Sequence, residues 1–141
     1  MYKRLIVYSD GGARGNPGPA AAAFLVLTEN GQILKSESRF LGNRTNNQAE
    51  YEALVAALET AVNLGSDELY CYLDSELVAK HLSGEYHVKN VELHKLWNKI
   101  QSLRSHFKEV RFVNVPRTNS YIQKADALVN ETLDRANKKK L

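Results

Sequence analysis

Apolar residues lie along the chain in two patterns, short continuous runs typical of buried strands and longer stretches with helical spacing. The first run, residues 5–7, predicts a strand, and a loop with four glycines and two prolines follows it at 11–19. The run at 20–27 is short and follows a proline, which favours a strand buried on both faces although alanine is a good helix former. An Asn-Gly pair then predicts a hairpin turn into a more polar strand at 32–41, which suits a sheet edge.

The rest of the chain alternates between helical spacing and short apolar runs. Helices are expected at about 48–64, 75–82, 93–107 and 122–136, and strands at 69–73 and 110–115. The resulting order, βββαβααβα, predicts an α/β protein with one five-stranded mixed sheet. Three antiparallel strands should precede two parallel ones, with helices flanking the faces of the sheet.

The composition fits one soluble globular domain. The chain has 141 residues, 43% of them hydrophobic and 25% charged, which is enough to bury a core. We expect one domain over 1–136 and a basic tail over 137–141. Cys71, the single cysteine, lies in a strand-like run, so we expect a buried filler and no internal disulfide. Because no apolar run reaches about 18 residues and no signal-peptide pattern is present, we expect a cytoplasmic protein without a membrane partner.

Positive charge is concentrated in the second half of the chain. Residues 1–70 carry 6 Lys and Arg against 8 Asp and Glu, whereas residues 71–141 carry 13 against 8. A basic half is typical of proteins that bind a polyanion. A solvated basic surface that ends in a frayed lysine tail explains the same charges, and the charge balance alone leaves both interpretations open.

Four carboxylates interrupt the expected pattern. Asp10 and Asp74 each lie at the C-terminal end of a predicted strand, and such strand ends open onto one crevice. Glu50 is at the edge of the apolar stripe of the first helix and Asp126 lies on the stripe of the last, so both should point toward the sheet. Taken singly, each is an ordinary turn or surface acid. Together, the four acids would repel one another and have raised pKa values unless cations neutralise them.

The ligands in such a cluster would all be hard oxygen atoms. No cysteine–histidine group with zinc spacing accompanies them, so Mg²⁺ or Mn²⁺ is favoured over zinc. Two such ions about 4 Å apart can activate a water molecule and stabilise a leaving oxygen, as in enzymes that cleave phosphodiesters.

Four sequence blocks resemble those of type 1 ribonuclease H, the family that cuts the RNA strand of RNA–DNA hybrids. They begin at Asp10 (DGGARGNPG), Thr45 (TNNQAE), Asp74 (DS) and Ala125 (ADAL), and the match extends over essentially the whole chain. The resemblance implies the ribonuclease H-like fold and a metal-dependent endonuclease that leaves 5′-phosphate and 3′-hydroxyl ends. It also implies that the four carboxylates bind two Mg²⁺ ions, with Mn²⁺ as a substitute, and that the protein is a monomer.

The resemblance also assigns contacts to an RNA–DNA hybrid. Asn16, Asn46 and Asn47 match residues that approach the minor groove, where amides can bind 2′-hydroxyl groups or base edges without demanding one sequence. Thr45 and Asn90 match a pocket that grips a DNA phosphate. The expected substrate-binding residues are Gly11, Gly12, Asn16, Thr45, Asn46, Asn47, Gln48, Ser75 and Asn90. Turn and helix-cap chemistry also accounts for the three asparagines, and the two roles are compatible.

Two departures from the family pattern affect the expected activity. Many bacterial relatives carry a basic, Trp-containing protrusion that is replaced here by the short segment 83–89. We therefore expect lower substrate affinity, or a reliance on Lys80, Lys89 and Lys124. The family's mobile histidine before the last acid is also missing, and the four histidines of the chain are expected at the surface. Arg117 is the nearest candidate for that role, where it can stabilise the scissile phosphate, and an ordinary surface arginine is the alternative.

Two other functions compete with hybrid cleavage. A non-catalytic hybrid-binding module on the same fold is the alternative, and the presence of all four acids argues against it. A nucleotide-binding oxidoreductase is disfavoured, because the glycine loop does not spell G-x-G-x-x-G and prolines replace the required helix start.

Overall fold

Across the part of the chain that the structure describes, nine elements of secondary structure follow the expected order. The computed structural model of the protein describes residues 1–139. The strands are β1 (Tyr2–Ala13), β2 (Gly18–Thr28), β3 (Ile33–Arg44), β4 (Ser66–Leu73) and β5 (Glu109–Asn114). The helices are α1 (Asn46–Leu64), α2 (Glu76–Leu82), α3 (Val91–Arg104) and α4 (Ser120–Lys139).

The strands form one mixed sheet in the order β3-β2-β1-β4-β5. β1 pairs antiparallel with β2, and β2 with β3, whereas β4 lies parallel to both β1 and β5. The polar strand β3 lies at an edge of the sheet, as its sequence predicts. The expected fold class, three antiparallel strands followed by two parallel ones with helices on the faces, is therefore confirmed.

Strand β2 is buried on both faces, which explains its alanine-rich sequence. Phe24 and Val26 belong to the core that α1, α2 and α3 form on one face of the sheet. Ala21 and Ala23 point to the other face and pack against α4. Their small side chains let the helix lie close to the strand, so tertiary packing overrides the helix propensity of alanine. The expectation that Cys71 is a buried filler is also confirmed.

The hairpin between β1 and β2 is tighter than its glycines and prolines predict. β1 continues past Asp10, because Asp10 pairs with Ala23 and Ala13 pairs with Ala20 across the sheet. Only residues 14–17 form the turn. The expectation that Asp10 lies at the end of its strand is therefore wrong for the pairing of β1 with β2.

Helix α4 is longer than its sequence pattern predicts. It ends at Lys139, beyond the expected end at residue 136. Residues 140 and 141 of the predicted basic tail lie outside the described residues. None of the helices within 1–139 combines the length and the apolar character that a bilayer crossing requires.

One histidine lies in the core, so the expectation that all four lie at the surface is wrong for it. His81 on α2 is 7% exposed, and its Nδ1 lies 2.9 Å from the hydroxyl oxygen of Tyr51 on α1. Burial lowers the pKa of this imidazole, and the hydroxyl partner satisfies its ring nitrogen. His87, His94 and His106 are exposed, as expected.

Candidate active site

Two of the four predicted carboxylates lie just beyond the end of the parallel β1–β4 ladder. The last pair of that ladder joins Tyr8 to Tyr72, and Asp10 and Asp74 follow two residues later in the sequence. The strands part here, because β1 goes on pairing with β2 whereas β4 ends at Leu73. This separation opens a crevice at the carboxyl ends of the two parallel strands.

The third carboxylate, Glu50, is placed by the start of α1. A capping box fixes that start: the Thr45 hydroxyl accepts the backbone N–H of Gln48 at 3.1 Å, and the Gln48 side chain accepts the N–H of Thr45 at 2.8 Å. Glu50 is only 8% exposed. Its Oε1 accepts a hydrogen bond of 3.1 Å from the backbone N–H of Gly11 on β1.

The absence of a side chain at Gly11 allows α1 to approach β1 this closely. A β-carbon at Gly11 would lie 2.3 Å from the carbonyl carbon of Ala49 and 2.5 Å from the backbone nitrogen of Glu50. A β-carbon at Gly12 would meet only the side chain of Val129, at 3.8 Å. Close packing therefore requires glycine at the first position and not at the second.

Asp10, Glu50 and Asp74 converge on one point. Each offers a carboxylate oxygen, and these oxygens all lie within 4.8 Å of one another. Burial, followed by the charge of Asp74, raises the pKa of Asp10 to about 7. Burial and the charge of Asp10 hold the pKa of Glu50 well above its usual range. The predicted rise in pKa is therefore confirmed for two of the acids.

The chemistry of this cluster fits a divalent cation. Glu50 Oε2 is buried and finds no hydrogen-bond partner among the described residues. The three carboxylates provide hard oxygen donors, which suit Mg²⁺ or Mn²⁺. A cation would offset their mutual repulsion and satisfy the unpaired oxygen. Asp10, Glu50 and Asp74 can therefore hold a divalent metal ion.

The fourth predicted carboxylate, Asp126, lies at the rim of the same crevice. It lines a cleft of about 470 Å³ together with the other three acids, but it does not join their close group of oxygens. Asp126 is exposed, because the buried face of α4 runs through Ala125 and Val129. The expectation that it lies on the apolar stripe is therefore wrong. Its charge nevertheless contributes to the raised pKa of Asp10, after burial and Asp74.

Six of the other predicted residues also line the cleft: Gly11, Gly12, Asn46, Asn47, Ser75 and Arg117. Asn46 Oδ1 accepts the N–H of Ala13 at 2.8 Å, and the N–H of Asn46 donates to Asn16 Oδ1 at 3.1 Å. These bonds attach the β1–β2 turn to the start of α1. The Arg117 side chain is 90% exposed, and its Nε lies 3.6 Å from Asp74 Oδ2.

Four predicted substrate-binding residues do not line this cleft: Asn16, Thr45, Gln48 and Asn90. Asn90 caps α3, where its Oδ1 accepts the N–H of Leu93 at 3.0 Å. Gln48 lines a neighbouring cleft of about 400 Å³ with Arg44 and Lys95. Of the nine predicted substrate-binding residues, five therefore line the acidic cleft. The other four lie in the β1–β2 turn, at the starts of α1 and α3, or in the neighbouring cleft.

Two polar residues of the cleft, Arg14 and Asn130, have no role in the sequence-based prediction. Asn130 lies one helical turn after Asp126, a spacing that places both on one side of α4 and could have identified it. No spacing rule indicates Arg14, because its hydrogen-bond partner Asn130 lies 116 residues away in the sequence.

Known proteins resemble the chain over most of its length. The family described as "Reverse transcriptase-like" matches residues 8–132. Ribonuclease HI of Halobacterium salinarum is 40% identical over 133 residues, which cover 94% of this chain and 66% of that protein. Bifunctional protein Rv2228c of Mycobacterium tuberculosis is 40% identical over 135 residues, which cover 94% of this chain and 36% of that protein. The chain thus spans only part of the length of these curated relatives.

A solved structure of LC11-RNase H1 in complex with an RNA/DNA hybrid is similar to this fold. It superposes with a TM-score of 0.85 at 40% identity, and the match covers 94% of this chain and 98% of that one. The similarity therefore extends over nearly the whole of both chains.

Proposed function

The chain belongs to the ribonuclease H family, and on that premise we propose that it is a metal-dependent endonuclease that hydrolyses the RNA strand of RNA–DNA hybrids. The observation that carries the proposal is the convergence of oxygens from Asp10, Glu50 and Asp74 within 4.8 Å. Ionising carboxylates this close together costs free energy unless positive charge lies between them. The expected products carry 5′-phosphate and 3′-hydroxyl ends.

Asp10, Glu50, Asp74 and Asp126 would hold two Mg²⁺ ions, for which Mn²⁺ can substitute. When bound, such ions stabilise negative charge on a phosphate and make a water molecule a stronger acid. The protein's part is to hold the ligand oxygens in place before the substrate arrives. Glu50 is ready for this role, because Gly11 holds Oε1 and leaves the buried Oε2 available.

The start of α1 and the adjoining turn would contact the minor groove of the hybrid. Asn46 and Asn47 line the cleft beside Gly12, where the missing side chain leaves room for a nucleic-acid backbone. Their amides can donate to and accept from 2′-hydroxyl groups, which distinguish RNA from DNA. Asn16 Oδ1 already accepts the N–H of Asn46, so Asn16 would use its Nδ2 group on the substrate and also orient Asn46.

Arg117 and the N-termini of α1 and α3 would bind the phosphates. The exposed Arg117 lies beside Asp74, within reach of a phosphate in the cleft, where a guanidinium can stabilise developing charge. Thr45 and Asn90 cap α1 and α3, and helix N-termini favour anions. This placement supports the assignment of a DNA phosphate to these two caps.

Incubation of a labelled RNA–DNA hybrid with the protein and Mg²⁺ tests the proposal, with single-stranded RNA and duplex RNA as comparison substrates. We expect cleavage of the hybrid's RNA by the wild type, and by Glu131→Gln, whose exposed carboxylate lies on α4 outside the cleft. The Asp10→Asn variant should bind the hybrid without cleaving it. Binding without cleavage by the wild type would instead indicate a non-catalytic module, and full activity of Asp10→Asn at saturating Mg²⁺ would contradict the metal assignment.

We also propose that the active form is a monomer located in the cytoplasm. Light scattering at the concentrations of the activity assay tests the first statement, and a dimeric mass would contradict it. The cytoplasmic location is tested by cell fractionation.

A further inference from the structure

Asp126 is held differently from the other three carboxylates. Asp10 and Asp74 are placed by neighbouring strands and Glu50 by a backbone N–H, whereas Asp126 projects from the exposed side of α4. Its Oδ2 accepts a hydrogen bond of 3.3 Å from Asn130 Nδ2, which also donates to the Asp126 carbonyl at 3.1 Å. The orientation of this carboxylate therefore depends on an asparagine amide one turn away.

The amide of Asn130 is oriented in turn by Arg14, from the β1–β2 turn. Arg14 Nη2 donates to Asn130 Oδ1 at 3.3 Å and to the Asn130 carbonyl at 3.4 Å. Arg14 Nη1 lies 2.8 Å from Asp134 Oδ1. A guanidinium only donates and a carboxylate only accepts, so the Asn130 amide has one orientation that satisfies both neighbours.

We propose that Arg14 and Asn130 are positioning residues for Asp126. The hydrogen-bonded series Arg14–Asn130–Asp126 selects the side-chain conformation in which Asp126 faces the metal-binding cleft. Its catalytic consequence rests on the function proposed above, whereas its effect on metal binding can be measured without substrate. The same turn is also bonded to the start of α1, through Asn16 and Asn46, so one short segment connects the helices that carry Glu50 and Asp126.

Because these hydrogen-bonded side chains are exposed, their effect on the orientation of Asp126 can be measured apart from any effect on folding. The side chains of Arg14 and Asp134 are 45% and 61% exposed, and ion pairs at such sites contribute little to the free energy of folding. Loss of a residue that orients a metal ligand, in contrast, typically lowers metal affinity or activity by about 10- to 100-fold. Variants of Arg14 and Asn130 should therefore fold normally and bind metal poorly.

The experiment compares Asn130→Ala, Arg14→Ala and the double variant, with Asn137→Ala as the matched control on the exposed side of α4. We expect Asn130→Ala to lower kcat by about tenfold or more and to raise the Mg²⁺ concentration needed for half-maximal rate. KM for the hybrid should change by less than about twofold. The double variant should be no worse than Asn130→Ala alone, because both substitutions break one series of bonds.

Conservative variants and calorimetry complete the test. Arg14→Lys should not restore the wild-type rate, because an ammonium cannot make the two forked contacts. Asn130→Asp, which keeps an acceptor for Arg14 but removes the donor to Asp126, should be at least as impaired as Asn130→Ala. Calorimetric titration of the free proteins with Mn²⁺ should show weaker binding in both Ala variants and not in Asn137→Ala.

Two results would overturn the inference. The first is a raised KM in Arg14→Ala with unchanged kcat and unchanged Mn²⁺ affinity, which would make Arg14 a direct substrate contact. The second is additive losses in the double variant. If the wild type itself cleaves no hybrid, the proposed function fails, and the Mn²⁺ titration still decides whether Arg14 and Asn130 position Asp126. Circular dichroism of each variant confirms that it is folded before it is compared.

Discussion

Replacing Asp10 by asparagine should stabilise the metal-free protein while it abolishes hydrolysis. Asp10 is 7% exposed and shares a small volume with Glu50 and Asp74, whose oxygens lie within 4.8 Å. Without a cation, ionisation of Asp10 places an uncompensated charge in this buried cluster. Asparagine keeps the size of the side chain and removes that charge.

The magnitude follows from the raised pKa. Burial and the charge of Asp74 raise the pKa of Asp10 from 3.8 to about 7 in the folded protein. Between about pH 4 and pH 7 the unfolded chain has lost this proton and the folded chain has kept it, so stability falls as the pH rises through this window. Above pH 7 the loss reaches about 4 kcal/mol. The Asp10→Asn variant does not have this loss. Its free energy of unfolding should therefore exceed that of the wild type by under about 1 kcal/mol at pH 4 and by about 4 kcal/mol at pH 8.

Urea unfolding in the presence of EDTA, at pH values from 4 to 9, measures this difference. Glu131→Gln is the control, because its exposed carboxylate should change the unfolding free energy by no more than about 0.5 kcal/mol at any pH. Adding Mg²⁺ should stabilise the wild type more than the variant, because a bound ion offsets the same charge. A gain that does not depend on pH, or a loss of stability at pH 8, would refute the electrostatic reasoning.

Three other substitutions test separate parts of the structure. Gly11→Ala should lower the free energy of unfolding by about 3 kcal/mol, because its β-carbon would meet the backbone of Ala49. Thermal denaturation measures this loss, with Gly12→Ala as the control, and equal losses in both variants would contradict the prediction. Tyr51→Phe removes the partner of the buried His81 Nδ1 and should cost about 1 to 3 kcal/mol in urea unfolding, against almost no change for the exposed Tyr86→Phe. Arg117→Ala should lower the single-turnover cleavage rate by at least about tenfold with hybrid affinity little changed, and an unaffected rate would make Arg117 an ordinary surface arginine.

The order of elements could be predicted from the sequence because it depends on local patterns. Short apolar runs and helical stripes predict the nine elements. The proline before the alanines of β2 favours a strand there, although alanine is a good helix former. Glu50 could be identified because it borders the apolar stripe of α1. The same reasoning placed Asp126 on the apolar stripe of α4, where the structure shows an exposed residue at the rim of the cleft. Convergence of the three close carboxylates then follows from where strands and helix begin and end.

Other features could not be predicted, because they depend on contacts between distant segments. β1 extends past Asp10 because β2 offers pairing partners across the hairpin, which no local glycine or proline signal reveals. His81 is buried because a tyrosine hydroxyl from another helix satisfies its ring. The bond between Arg14 and Asn130 joins residues 116 positions apart.

The positions of the four carboxylates depend on the fold to different degrees. This difference indicates which substitutions can alter activity without loss of stability. Asp10, Glu50 and Asp74 are placed by the β1–β4 ladder and by the Gly11 contact, so folding itself brings them together, at a cost in charge repulsion. Asp126 is exposed and is oriented by side chains at the surface. Substitutions near the first three acids should therefore alter stability and activity together. Substitutions of the exposed Arg14 and Asn130 should alter activity while the fold stays intact.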